Sequence, residues 1–440
     1  MLDLYLNSAF AGTVEVDELG TYMLRYADEW VTSPNRYPLS VSLPLTEKTH
    51  SGKRVENVLR GYLPESDIVL ESWSKRYRIS NPHDPLSVLE KVGEDVAGAA
   101  QFIPHGQKIS TAGVLIDLEE AEIEELIADA RVTGGSMPHI RTVPRLSLAG
   151  MQPKFALHQR ENGRWAIPGG RAASTHIFKP GRPELEEIEK LETALMEAAR
   201  RCTIPSAEAR VLTFGGESTY VTARYDRVAT AEGVGRVHQE DFAQAMGIPP
   251  GRKYEEDGGP SAVKYVQLLR EWSSAPEADV DSFVRLTAFN IAVGNADAHA
   301  KNYGLLLAPG EQIRLAPAYD IGSLAAYPGY DQRLSFAIGG QRHYKAIEQA
   351  HWWKFARRAG LDGDRVIAQV HSVWEKVPDA VGEELARAEL SPRVVERVEG
   401  LFPGLHSRTQ RMAPAAASGI AVPRPPAPPE HGDTFGVNLP

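Results

Sequence analysis

Cysteine is almost missing from this chain of 440 residues: Cys202 stands alone. A single thiol excludes an internal disulfide and every zinc or iron–sulfur site built from several cysteines, and it fits a reducing compartment. No apolar run approaches the ~20 residues of a membrane span. The opening Met1-Leu2-Asp3-Leu4-Tyr5 carries an acid where a secretory leader needs positive charge. A cytoplasmic protein with no membrane contact is therefore expected. Excess positive charge is lacking too. With 58 acidic against 48 basic side chains the formal net charge is −10, so any DNA contact needs a local basic patch or a partner. H-E-x-x-H, G-x-S-x-G, the Walker A pattern and G-x-G-x-x-G are absent, and the 13 histidines show no ligand spacing.

What is present is a chain with 42% apolar residues spread along most of its length, enough for two or three domains at ~150 residues each. Residues 1–110 read as strands and turns with some helix. Leu39-Ser40-Val41-Ser42-Leu43-Pro44-Leu45 alternates with the period of a strand, and Leu63-Pro64-Glu65 marks a turn. Residues 118–130 have helical spacing and many acids, the pattern of a solvated surface helix. Residues 111–238 read as a small α+β lobe: a glycine-containing loop, a hairpin from Phe155 to Ile167, a strand Thr175–Lys179, a helix Glu184–Arg201 and two more strands. Residues 239–411 are mostly helical, with helices expected at 349–360, 364–377 and 380–399. Residues 412–440 hold 7 of the 31 prolines and three charged residues, the composition of a disordered tail.

The chemistry concentrates in Gly294-Asn295-Ala296-Asp297-Ala298-His299-Ala300-Lys301-Asn302. A hairpin follows, and then Tyr319-Asp320. Asp, Asn five residues on, a hairpin and a second Asp is the order of polar groups in a protein-kinase catalytic loop. Phosphoryl transfer needs a carboxylate to position the incoming hydroxyl and take its proton, which casts Asp297 as the base. It also needs Mg²⁺, and hard cations take oxygen ligands, which casts Asn302 and Asp320 as the metal pair. His299 and Lys301 would add donors towards phosphate. Lys179, at the end of an apolar strand, is placed to reach nucleotide phosphates, with Glu192 mid-helix on the face that could pair with it; taken alone, each reads more readily as a surface residue, the lysine snorkelling beside a solvated helix face. The loop Leu146-Ser147-Leu148-Ala149-Gly150-Met151-Gln152-Pro153-Lys154 would cradle phosphates with its backbone amides and Lys154.

Ser147–Lys154, Ile177-Phe178-Lys179-Pro180, Gln239-Glu240-Asp241, Lys253-Tyr254-Glu255-Glu256-Asp257-Gly258-Gly259-Pro260, Asp297–Asn302 and Tyr319-Asp320 together resemble the HipA family, the serine/threonine-kinase toxins of bacterial HipBA toxin–antitoxin systems. The likeness runs over about 1–410, and residues 1–110 look like that family's extra N-terminal domain. It implies an α+β, two-lobed protein-kinase-like fold with a β-rich N-terminal subdomain and a mostly helical C-terminal lobe. It implies ATP and Mg²⁺ as cofactors, Asp297 as the catalytic aspartate, Asn302 and Asp320 as metal ligands, and Lys179 on the ATP phosphates. Ser147, Gly150, Gln152 and Lys154 fall in the phosphate loop, with Ser147 as the self-phosphorylated serine. Gln239 and Tyr319 fall at the nucleotide site, and Ala223-Arg224-Tyr225 at the hinge that holds adenine by its backbone. Ala298 stands where glycine is common in that family. The resemblance further implies a HipB-like helix-turn-helix antitoxin as partner, operator DNA bound mainly through that antitoxin, and glutamyl-tRNA synthetase as the usual target. An antitoxin-dependent co-repressor, its N-terminal domain dispensable for catalysis, and a kinase with a non-protein acceptor remain open beside the protein kinase.

Overall fold

The structure is a computed structural model that describes residues 1–107, 113–133, 150, 152–231 and 233–412. Ser147 and the proline-rich segment beyond Met412 lie outside the described residues. The chain begins with an antiparallel five-stranded sheet ordered Thr49–Ser51, Tyr22–Tyr26, Ala9–Val16, Leu2–Leu6, Ala100–Pro104. Leu2, Leu4 and Leu6 share one buried face, as period-two alternation requires. Helices Lys53–Arg60, Asp67–Tyr77 and Pro85–Val92 belong to the same region. The last starts cleanly because the Asp84 carboxylate accepts from the Leu86 and Ser87 amides, with Pro85 in the first turn.

Leu39–Leu45 is not a strand. Leu39, Val41 and Leu43 are buried as the alternation requires, but the backbone bonds to side chains instead of a neighbouring strand. The Leu39 amide donates to the Tyr26 hydroxyl, and the Val41 amide to the Glu240 carboxyl. Ser40 and Ser42 donate to the Gln244 carbonyl. Period-two burial is a statement about side chains, and the ladder that defines a strand needs a partner, which is absent here.

The second sheet has six antiparallel strands, ordered Ala209–Phe214, Glu217–Ala223, His176–Pro180, Phe155–Gln159, Trp165–Gly170, Gly113–Asp117. The expected 155–167 hairpin forms around the turn at Arg160–Gly163. Helix Glu120–Thr133 differs from the solvated helix expected over 118–130. Ile123, Leu126, Ile127 and Ala130 are buried against Phe155, Leu157, Phe178 and Val221 of the sheet. The acids occupy only the other face, so a charge-rich sequence conceals a core-facing stripe. Helix Ile188–Arg201 buries Leu191, Ala194, Leu195 and Ala198.

The remaining chain is mostly helical around Pro276–Ala292 and Gly363–Arg387. The latter runs unbroken through Pro378, where two helices were expected. Proline inside a helix removes one backbone bond and costs ~3 kcal/mol; the buried Val370, Val373, Trp374, Val377 and Val381 hold both halves to one surface and offset it. Strand His238–Asp241 pairs with Gly304–Ala308, which pairs with Gln312–Leu315, so residue 238 already belongs to the lobe expected to start at 239.

A buried charge network joins the N-terminal sheet region to the second sheet. Asp95 pairs with Arg227 at 2.8 Å and with Arg236 at 3.5 Å, and accepts from the Ser174 amide. Arg224 donates to Asp226, to the Ser174 hydroxyl and to the Val96 carbonyl. Burial opposes the charge on Asp95, but Arg227, Arg224 and Arg236 hold its carboxyl well below the usual carboxylate range. Asp95→Asn removes one partner from this network and is expected to destabilise the fold by about 3 kcal/mol, read from urea denaturation at pH 7. The depressed folded pKa puts this stabilisation above the unfolded value near ~4, so the difference between wild type and variant narrows as pH falls below it.

Candidate active site

The loop that carries Asp297 begins where helix Pro276–Ala292 ends. Gly294 turns the chain with φ +67°, and any Cβ there would meet the Ala325 side chain at 2.5 Å. Asn295 then locks the turn: its amide donates to the Asn290 carbonyl, its side chain donates to Asn290 Oδ1, and its own Oδ1 accepts from the Asp297 amide. The Ser335 hydroxyl donates to the Ala298 carbonyl. A 3₁₀ turn, Ala300–Asn302, sets the Asn302 side chain inward. These local bonds hold an irregular backbone that no ladder supports.

The hairpin Gly304–Ala308/Gln312–Leu315 brings the chain back to Tyr319-Asp320. Its return is fastened to the second sheet region, since the Ala318 amide donates to the Pro205 carbonyl and the Ala207 amide to the Ala318 carbonyl. Asp320 itself sits at φ +59°, a left-handed conformation uncommon for a side-chain-bearing residue and concentrated at functional sites.

Four side chains from three distant segments meet there. Lys179 Nζ lies 2.7 Å from Glu192 Oε1 and 2.6 Å from Asp320 Oδ1. Asn302 Nδ2 donates to Asp320 Oδ2 at 3.1 Å. Burial alone lowers the Lys179 amine, but Asp320 and Glu192 outweigh it and hold it well above its ordinary value. In turn Lys179 and Lys154 hold the Asp320 carboxyl well below its own, against burial. Burial keeps Glu192 raised. The half-buried Lys154 is lowered to about 8 by desolvation and by the neighbouring Lys179 charge. Gly150, at φ +112°, leaves room that a Cβ would fill, 2.6 Å from Lys154 Nζ. The Asn302 carbonyl oxygen Oδ1 is buried and has no hydrogen-bond partner. An orphaned amide oxygen beside an ionised carboxylate fits a hard cation. Among the described residues no group of three or more His, Cys, Asp or Glu could hold a metal, and Mg²⁺, which keeps several waters, suits a site with only two protein oxygens.

Asp297 Oδ1 accepts from the Tyr254 hydroxyl at 2.5 Å and lies 3.9 Å from His299 Nε2. Burial raises the Asp297 carboxyl above its ordinary value, while the Tyr254 hydrogen bond pulls it down. His299 is buried, and desolvation with the Lys253 charge lowers it to about 3, so its ring is neutral at pH 7 and adds no charge towards phosphate. Lys301, read from sequence as a donor towards phosphate, has other contacts. Its amine closes on Asp241 at 2.8 Å and on the Gly61 carbonyl at 3.5 Å. Gln239 accepts from the Tyr225 hydroxyl, the Tyr225 and Tyr319 rings lie 5.6 Å apart, and the Tyr319 hydroxyl donates to the Lys301 carbonyl. At the expected hinge, the amides of Ala223 and Arg224 are already bonded to the carbonyls of Glu208 and Thr175. Gln152 is half-buried. Sequence reasoning assigned no role to Tyr254, Lys253 or Glu65. Tyr254 and Lys253 sit in the quoted Lys253–Pro260 motif, and only its spatial partner reveals what Tyr254 does.

An amine bridging two carboxylates, an amide–carboxylate oxygen pair and a separate buried aspartate, carried on a sheet-based lobe and a helical lobe, define a kinase-like protein. Family models described as "HipA N-terminal domain" and "HipA-like C-terminal domain" match residues 2–103 and 146–381, and the chain belongs to the HipA family of kinase toxins. It is 32% identical over 390 residues to Y4mE of Sinorhizobium fredii, covering 88% of this chain and 92% of that protein. It is 27% identical over 401 residues to the serine/threonine-protein kinase toxin HipA of Shewanella oneidensis, covering 87% and 88%. The solved structure of the Shewanella oneidensis MR-1 HipA, HipB and operator DNA complex matches with a TM-score of 0.79 at 25% identity, over 93% of this chain and 97% of that one.

Lys179→Met is expected to destabilise the protein by about 3–5 kcal/mol, because Glu192 is left buried without its counter-charge. A carboxyl raised in the folded state stabilises below its unfolded pKa and loses that contribution as pH rises. Urea denaturation of the variant should therefore show a larger deficit at pH 8 than at pH 5.

Proposed function

We propose that this chain is an ATP-dependent serine/threonine protein kinase acting as the toxin of a toxin–antitoxin pair. The observation that carries the reading is the junction at Asp320: one carboxylate oxygen on Lys179, the other on Asn302, beside an amide oxygen with no partner. Asn302 and Asp320 would hold Mg²⁺, which would supply positive charge to offset that of the phosphates. Lys179 donates to the ATP phosphates, with Glu192 keeping the amine ionised and in place. Lys154, beside Gly150, contributes a further donor. Asp297, held by Tyr254, orients the acceptor hydroxyl and takes its proton as the oxygen bonds to the γ-phosphorus and the bond to ADP breaks. Gln239, Tyr225 and Tyr319 form a linked wall on which the nucleotide rests.

The toxin reading rests on family membership and on the Shewanella oneidensis relatives. By the same analogy a HipB-like antitoxin is the partner, operator DNA is reached through it, and the target is a translation component such as glutamyl-tRNA synthetase. The net charge of −10 suits a protein whose DNA contacts come from a partner. Autophosphorylation would fall on Ser147, adding about two negative charges to a phosphate-binding loop and weakening nucleotide binding.

Incubating the full chain with γ-labelled ATP, Mg²⁺ and cell lysate is expected to label a discrete protein, and Asp297→Asn to lower transfer at least ~10³-fold while leaving the fold intact. Equal labelling by the two proteins would refute the reading, and equal growth of cells expressing either without antitoxin would remove the toxin role. The rate should fall as pH drops through the raised Asp297 pKa, because the protonated carboxyl accepts no proton. Tyr254→Phe removes a donor that lowers that pKa, so the acid limb of the kcat–pH profile is expected to move to higher pH.

A further inference from the structure

The N-terminal domain touches both halves of the active site at Pro64 and Glu65. Pro64 makes a backbone bridge to Gly150, and the Glu65 amide donates to the Gly150 carbonyl at 3.2 Å. The Glu65 side chain reaches the other way, its Oε2 2.7 Å from Lys253 Nζ. Both partners of this pair are nearly buried, with side-chain exposures of 13% and 8%. Lys253 is one residue from Tyr254, its amine lies 5.6 Å from the Tyr254 ring, and its carbonyl accepts from the Ala300 amide in the catalytic loop. Tyr254 completes the connection by donating to Asp297. Nearby, Lys301 reaches the Gly61 carbonyl, and Gln244 donates to the Val58 carbonyl, so the same edge of the domain also packs on the start of the helical lobe.

We propose that Glu65 is a positioning residue for phosphoryl transfer: its backbone holds Gly150 and its carboxylate, through Lys253 and Tyr254, sets Asp297. The inference rests on the kinase reading above, and it makes the N-terminal domain part of the catalytic apparatus, not an appendage reserved for partners. A carboxylate is required because the amine it meets is buried, and a buried cation needs a fixed counter-charge to stay in one place. The two arms are separable. A side-chain change at Glu65 leaves the bond from its amide to Gly150 intact.

The test uses the full chain with Mg²⁺ and γ-labelled ATP, following label transferred to the chain itself. Glu65→Gln is expected to lower kcat about tenfold, the scale of a small misplacement of a catalytic group, with KM for ATP unchanged within about twofold. Lys253→Glu should lower kcat at least as far, while Glu65→Asp, which keeps the charge that faces both Lys253 and Lys301, should retain most of the wild-type rate. Hydrogen exchange should rise in residues 253–257 and 297–302 of Glu65→Gln while strand Leu2–Leu6 keeps its wild-type rate, which separates repositioning from unfolding. A wild-type kcat in Glu65→Gln, equal loss in kcat and ATP affinity, or a loss in Glu65→Asp as deep as in Glu65→Gln would overturn the role of Glu65 alone. A wild-type chain that transfers no more label than Asp297→Asn would overturn the kinase reading and this role with it.

Discussion

The buried contact of Lys179 with Asp320 is the constraint on which the site depends. The lysine comes from the central part of a sheet and the aspartate from the end of a hairpin in the other lobe, 141 residues apart in sequence. Each is costly to bury alone. Together, with Glu192 on the same amine and Asn302 on the same carboxylate, they stay ionised inside the protein. That ionisation sets a fixed ammonium, a fixed carboxylate and an amide oxygen with no hydrogen-bond partner side by side. The left-handed backbone at Asp320 is held there by pairing of Ala318 with Pro205 and Ala207, so strain is stored beside Lys179 and Asn302 and supported from a distance.

The same logic explains the N-terminal domain. It meets the second sheet through Asp95 and a set of buried arginines, and it meets Gly150 and Lys253 through Pro64 and Glu65. Asp95 and Lys253 find their counter-charges across the domain boundary, while Arg224 and Arg227 also pair with Asp226 within their own lobe. The domain therefore braces the lobes at two points, one beside the segment 223–225 and one beside Asp297.

Much of the site was legible beforehand, for chemical reasons. Asp297, Asn302 and Asp320 stand in an order that few other functions require, and the hairpin between them is short enough for local turn signals to mark it. Taken alone, Lys179 and Glu192 read more readily as surface residues, and only the set of motifs together pointed the lysine at a nucleotide. Where the reading faltered, the missing information was tertiary. Leu39–Leu45 alternates like a strand, yet Tyr26, Glu240 and Gln244 capture its backbone. The acids of Glu120–Thr133 mask its buried stripe, and Lys301, placed by motif among the phosphate donors, is claimed by Asp241.

What the linear chain determined by itself is the chemical inventory: which oxygens and amines exist, their spacing inside each motif, and the periodicities that make strands and helices. Local bonds and local sterics act over a few residues, so these features follow from neighbours in sequence. Only the tertiary structure decided which of those groups face one another, and hence their charge states. Tyr254 became the partner of Asp297, Glu65 the counter-charge of Lys253 and the Asn302 oxygen an acceptor left open, because burial and Coulomb energy depend on distances between atoms that the order of residues does not contain.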